Sequence, residues 1–310
     1  MPARTRATLQ ELVRLQADAR GFSFLPRQPV GSLLAGRHAS RLRGRGLAFR
    51  ELRRYALGDD VRTIDWRATA RLRSAHVRVY DEERERPVLL VVDQRRPMFF
   101  GSRRATKSVA AAETAALSAW RALGSGDRVG GVVFGGDELV ELRPHGSRTR
   151  ALQLLHEIER LGQGLVDAPD AADSVTLDDA LRAAERIARH DHLVVLISDL
   201  DGAGDESERL ATRIAAHNDL LVVAVYDPLG ISLRGAPGMV AARGGGTSQV
   251  PAGDAFTRGF EQEFAQVIEH WRGVFGGLRI PLFPMSTVVP PAEQLRSVVG
   301  ATRARQGAQS

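Results

Sequence analysis

The chain has 310 residues, 43% of them hydrophobic, with a formal net charge of +6, enough apolar material for one large domain, or one domain with an appendage, and too much for wholesale disorder. It has no cysteine, which excludes disulfides, thiolate metal sites and thiol catalysis together. No apolar run approaches the roughly 20 residues of a membrane-spanning helix, and the opening MPARTRATLQELVRLQ lacks the apolar core of a secretory signal, so a cytoplasmic protein is expected.

Of the 43 basic residues only Lys107 is a lysine. A GC-rich genome would explain that bias, but the distribution says more. Residues 1–80 hold 17 arginines against six acids, and the remainder holds 26 basic against 31 acidic residues. The sequence therefore reads as a cationic module at 1–84, a mildly acidic body at 85–300 and a polar tail at 301–310 expected to be disordered.

Within the module, residues 8–19 have the pattern of an amphipathic helix closed by Gly21, and GRHASRLRGRGLAF looks like a loop. The stretch from Glu51 to Glu83 mixes turn signals with a short strand at 75–80, and periodicity does not decide its structure. From residue 87 the pattern changes to strand–helix alternation. Val88–Val92, Val129–Phe134, Leu193–Ile197 and Leu221–Val225 are continuous apolar runs, as expected of strands buried on both faces of a mostly parallel sheet. ELVEL at 138–142 alternates and pairs with 129–134 as a hairpin across GGD.

Helical stripes lie between these runs, through Val109–Leu123, Leu152–Leu161, Leu177–Ile187 and Leu210–Ile214. The Gly- and Pro-rich 228–253 reads as a loop or β excursion, followed by a helix capped by Asp254 with Phe256 to Phe275 along one face. LRIPLF at 278–283 is expected as a last strand at the sheet edge because of Pro281, before a short helix from Pro291 to Val299. The expected fold is thus α/β, a doubly wound and mostly parallel sheet flanked by helices, beside an irregular basic N-terminal module.

Asp93 and Asp199 both stand just past the C-terminal ends of strands, where open α/β sheets bind ligands. Thr176 precedes a helix and either caps it or offers its hydroxyl to the same crevice. Two carboxylates and a hydroxyl suit Mg²⁺ or Mn²⁺; alternatively each aspartate caps the helix that follows. There is no Walker motif, and GSGDRVGG runs from helix to strand, the wrong order for a dinucleotide loop. The eight histidines show no metal-ligand spacing.

The block GRHASRLRGRGLAFRELRRYALGDDVRTIDWRATARLRSAHVRVYDEERE resembles the signature of the bacterial family called domain of unknown function 58, through Gly36, His38, Glu51, Arg53, Tyr55, Gly58, Asp59, Asp60, Arg62, Asp65, Trp66 and Arg71 among others. ALGSGDRVGGVVF, LISDL and VAVYDPL extend the resemblance over about residues 30–285. It implies a von Willebrand factor A-like domain, an adaptor or assembly role rather than catalysis, and a MoxR-type AAA+ ATPase as partner. It also implies a metal-ion-dependent adhesion site of pattern Asp-x-Ser-x-Ser, Thr, Asp, whose positions here are Asp93, Arg95, Pro97, Thr176 and Asp199. Both serines are replaced. A guanidinium repels a cation and proline's side chain offers no ligand, so the expectation is a degenerate site without a cofactor, in which Arg95 or Arg96 sets positive charge between Asp93 and Asp199. A residual metal site on Asp93, Thr176 and Asp199 is the alternative, as are two arginines in solvent. A guanidinium there could hold a partner's acid directly.

The charged block 51–66 is either a docking surface or a set of ion pairs that pins an irregular segment. Nucleic-acid binding through the arginine-rich module is a further alternative, against which stand the few interleaved aromatics and the absence of a recognition motif.

Overall fold

A strand such as Val88–Val92, apolar at every position, is stable only with both faces covered, and the fold supplies that cover. The computed structural model describes residues 3–19, 47–56, 59–82, 85–167, 172–228, 240–243, 246–249, 271, 273, 275–277 and 280–296. Its helices are α1 (Leu9–Arg14), α2 (Trp66–Leu72), α3 (Lys107–Gly124), α4 (Arg148–Asp167), α5 (Leu177–Ile187) and α6 (Asp205–His217). Its strands are β1 (Leu47–Arg54), β2 (His76–Glu82), β3 (Pro87–Asp93), β4 (Arg128–Gly135), β5 (Glu138–His145), β6 (Leu193–Ser198), β7 (Asp219–Tyr226), β8 (Val240–Arg243), β9 (Gly246–Gln249) and β10 (Leu282–Ser286).

The chain divides into two units, Met1–Gln28 with Arg86–Ser310, and Pro29–Glu85. In the larger unit six strands form one sheet in the order β10-β7-β6-β3-β4-β5. All are parallel except β5, which returns antiparallel on β4 through a turn with Gly136 at φ 62°. From β3 the chain moves outward to β4; from β6 it moves the opposite way to β7. The strand order therefore reverses between β3 and β6, and their C-terminal ends form the crevice of a doubly wound sheet.

Alternation along β3 sorts its side chains between the faces. Val88, Leu90 and Val92 join the core under α1, α3 and α4, while Leu89 and Val91 join the core under α5 and α6, with Trp271 and Phe275. Helix α4 lies so close to β4 that a Cβ on Gly131 would stand 2.6 Å from the Leu154 side chain and 2.8 Å from the Leu90 carbonyl. Helix α3 is buried around nearly its whole circumference, which its alanines permit.

Residues 1–28 belong to the larger unit, so the module expected at 1–84 is divided. The reason is packing. A Thr8–Glu11 capping box starts α1, Leu12 is completely buried, and the Trp120 indole donates to the Leu12 carbonyl at 2.9 Å. The expected last strand begins later, at Leu282, and occupies the sheet edge beside β7, where Pro284 breaks no internal ladder. Strands β8 and β9 form a hairpin within the expected excursion. Most of that excursion, the helix from Asp254 up to residue 270, and the tail lie outside the described residues.

In the smaller unit β1 pairs antiparallel with β2, from Leu47 opposite Glu82 to Arg54 opposite His76, with a bulge between Phe49 and Glu51. The end of the segment read as a loop is thus strand from Leu47. LAFRELRR has no clean alternation, and its pairing depends on a partner 22 or more residues away.

Leu12→Ala is expected to cost about 2–5 kcal/mol, read as a lower urea midpoint for unfolding of the larger unit. An unchanged midpoint would mean that α1 is dispensable to its core.

Candidate functional site

Strand β3 ends on Asp93, a carboxylate with no exposed surface. The chain then turns into a short 3-10 helix, Arg96–Met98, that contains Pro97. Between them Arg95 folds back onto the strand end. Asp93 Oδ1 accepts from the Arg95 backbone N–H at 2.9 Å and from Nε at 3.1 Å. Its Oδ2 accepts from Arg95 Nη2 at 2.7 Å and from the Ser198 hydroxyl at 2.6 Å. A carboxylate has about four acceptor positions, and all are filled. The guanidinium also donates to the Asp201 carbonyl at 3.0 Å and stands 5.3 Å from the centre of the Phe134 ring, a cation–π distance.

The loop after β6 is shaped to reach Arg95. The Ser198 hydroxyl accepts from Leu200 N–H at 3.0 Å, and Leu200 has φ 63°, a left-handed conformation that costs a bulky residue strain and gathers at functional sites. Asp199 is not bonded to Arg95. Its partner is Lys107, at the start of α3, with Nζ 2.5 Å from Oδ2. Charge compensation is thus divided between two cations, where one arginine between both acids was expected.

Burial pushes the Asp93 carboxyl above its ordinary range, while the Arg95 bonds, the Arg95 charge and the Ser198 hydroxyl pull it back. Every contact at Asp93 is one it accepts, which is the geometry of the ionised form. Burial alone would lower the Arg95 guanidinium, but its bonds and attraction to Asp93 raise it, so it stays charged.

This donor set does not suit a divalent cation. A metal on Asp93 would have to displace a guanidinium or a hydroxyl, and Asp199 is already held by an ammonium. Among the described residues no group of three or more His, Cys, Asp or Glu is gathered closely enough to hold an ion. Thr176 caps α5: its hydroxyl donates to Asp179 Oδ2 at 2.6 Å and accepts from Asp179 N–H at 3.2 Å. The Arg96 N–H donates to Asp173 at 2.8 Å, and the other oxygen of Asp173 takes the Gly136 N–H at 2.8 Å. The structure thus brings together Asp93, Arg95 and, through its loop, Asp199. Ser198, Lys107 and Asp173 were not foreseen, although Lys107, as the chain's single lysine, was a visible anomaly.

In the smaller unit the acids of the signature block act as ties. Asp59 receives the Arg53 guanidinium at 3.0 and 2.8 Å and the Ala56 N–H at 2.8 Å, and the Arg53 bond holds its carboxyl below the usual range. Asp60 caps the 3-10 turn Val61–Thr63, and Asp65 caps α2 through the N–H groups of Arg67 and Ala68. Tyr55 is half-buried, whereas Arg62, Trp66 and Arg71 are exposed. Glu51 lies in β1; Gly36, His38 and Gly58 fall outside the described residues.

Removing one partner of a buried ion pair leaves an uncompensated charge. Arg95→Ala or Asp93→Asn should therefore cost roughly 3–5 kcal/mol by urea unfolding. Asp93→Leu/Arg95→Met should cost less than either single change, and a double variant as unstable as Arg95→Ala would show that the pair is not the unit of stability.

The sequence model of a family described as "Protein of unknown function DUF58" matches residues 51–269. Uncharacterized proteins of Mycobacterium bovis and Mycobacterium tuberculosis are 31% identical over 220 residues, spanning 71% of this chain and 68% of theirs. Among solved structures, a conserved hypothetical protein BatB from Bacteroides thetaiotaomicron is similar with a TM-score of 0.40 at 12% identity, over 73% of this chain and all of that one. An aerotolerance-related membrane protein from Bacteroides fragilis, carrying multiple mutations to serines, gives a TM-score of 0.42 at 16% identity over 70% of this chain and 97% of its own. The extent of the family match and the identity to the mycobacterial proteins make this chain a member of the DUF58 family.

Proposed function

We propose that the protein is a non-enzymatic interaction or assembly factor whose crevice is a degenerate, metal-free counterpart of a von Willebrand A-type adhesion site. The observation that carries this reading is the saturation of Asp93 by Arg95 and Ser198. A carboxylate with every acceptor position filled has no lone pair to bind a metal and none to abstract a proton, which argues against both metal-dependent adhesion and general-base catalysis. The guanidinium and the Lys107 ammonium take over the neutralising role of an ion, so docking here is independent of divalent cations. The resemblance to the wider family makes a MoxR-type AAA+ ATPase the first partner to test, in the cytoplasm.

Calorimetric titration of Mg²⁺ and Mn²⁺ into wild type and an Arg95→Ser/Pro97→Ser variant tests the site. Wild type should give no heat and the variant should bind, with capture of a MoxR-type ATPase by wild type unaffected by chelator. Binding by wild type in the millimolar range or tighter overturns the metal-free reading. Silence from both proteins would reduce Asp93 and Asp199 to structural residues.

A further inference from the structure

Trp66 is 70% exposed, whereas Trp120 and Trp271 are 3% and 5% exposed. Helix α2, which Trp66 begins, is inverted relative to a helix packed on a core. Its half-buried side chains are Ala68 and Thr69. Trp66 with Ala70, and Arg67 with Arg71, stand four residues apart on the exposed side. Val61, five residues before Trp66, and Leu72, the last residue of α2, are 60% and 54% exposed. Leu72, four residues from Ala68 and three from Thr69, falls on their side of the helix, so Trp66 is the large apolar side chain of the exposed side.

Asp59 is held by Arg53, while Asp60 and Asp65 accept backbone N–H groups as caps. The nearby acids are therefore engaged within the unit. Arg62, Arg67, Arg71 and Arg73 are exposed, and among the described residues no carboxylate is paired with them. Exposed tryptophan beside uncommitted guanidiniums has the composition of a protein-binding hot spot, and the planar donor fork of arginine matches carboxylates.

We propose that the exposed side of α2, which carries Trp66, Arg67 and Arg71, is a docking site for an acidic amphipathic segment of another protein. Its carboxylates pair with Arg67 and Arg71, and its apolar side chains cover Trp66. A nucleic acid would stack successive bases on several aromatic side chains, whereas the exposed side of α2 presents Trp66 alone. The site is on the smaller unit and does not depend on how the Asp93 crevice works.

The test uses the full-length protein and a synthetic peptide with Glu and Leu at helical spacing. Because Trp66 is the exposed indole, binding should shift tryptophan emission to the blue and protect it from acrylamide. The same peptide with Gln for Glu should bind at least about ten-fold more weakly. Arg67→Ala/Arg71→Ala, at exposed positions whose guanidiniums have no partner among the described residues, should lose a similar factor with an unchanged circular dichroism spectrum. Trp66→Ala, followed by anisotropy of a labelled peptide, should do the same. Equal binding of the Gln peptide, wild-type binding by these variants, or preference for oligo-dT over the acidic peptide would each overturn the proposal.

Discussion

A carboxylate cut off from water must find all of its hydrogen bonds inside the protein, and the end of β3 is built around that requirement. Val92 pairs with Ile197 across the parallel ladder, which sets Asp93 level with Ser198 on the neighbouring strand. That register supplies one donor. The other three come from Arg95, and to deliver both its backbone N–H and its guanidinium it must double back within two residues of Asp93. The 3-10 turn at Arg96–Met98 is the continuation of that reversal. Opposite it, the left-handed Leu200 accompanies an arrangement in which the Asp201 carbonyl meets the same guanidinium. The crevice is therefore defined by satisfied contacts rather than by an open coordination sphere.

A second acid, on the helical side of the larger unit, is compensated less completely, with Glu113 Oε2 lacking a hydrogen-bond partner among the described residues. Glu113 lies within the buried α3 and is 9% exposed. It is answered by Arg104 and by Arg4, whose own backbone is held beside residues 104–106 by Arg4 N–H to the Arg104 carbonyl and Thr106 N–H to the Arg4 carbonyl, both at 2.9 Å. With Leu12 over Trp120, this explains why residues near the N-terminus belong to the body although their composition matches the cationic segment that follows. Composition is set residue by residue, whereas membership of a core is set by which side chains are buried.

The legible parts of the fold were those with one dominant physical signal. Runs of Val, Leu and Ile announced β3, β4, β6 and β7, since few other environments tolerate them; the 3.6-residue stripes announced α3 to α6. Strand β1 was hidden because LAFRELRR has neither an apolar run nor clean alternation, and its stability comes from pairing with β2 far along the chain. At the crevice, Asp93 and Arg95 were visible because a charge at the end of an apolar strand is conspicuous. Ser198 was not, since its part depends on strand register, and Lys107 was not, because pairing Asp199 with the start of α3 requires knowing where that helix is placed. Thr176 shows the converse: its T-x-x-D spacing described a local cap, and a cap is what it makes with Asp179.

Net charge acquires meaning only once the fate of the acids is known. In the larger unit Arg4, Arg95 and Arg104 are paired with the buried carboxylates of Asp93 and Glu113, so part of its cationic charge is compensated within the fold. In the smaller unit the assignment is reversed. Asp60 and Asp65 are consumed by backbone N–H groups and Asp59 by a single arginine, so several guanidiniums remain beside an exposed indole. A capping aspartate keeps its charge, but its oxygens are already engaged and its freedom to pair with a nearby arginine is reduced. The two units thus use arginine differently, the larger one setting cations against buried carboxylates and the smaller one leaving Arg62, Arg67, Arg71 and Arg73 exposed.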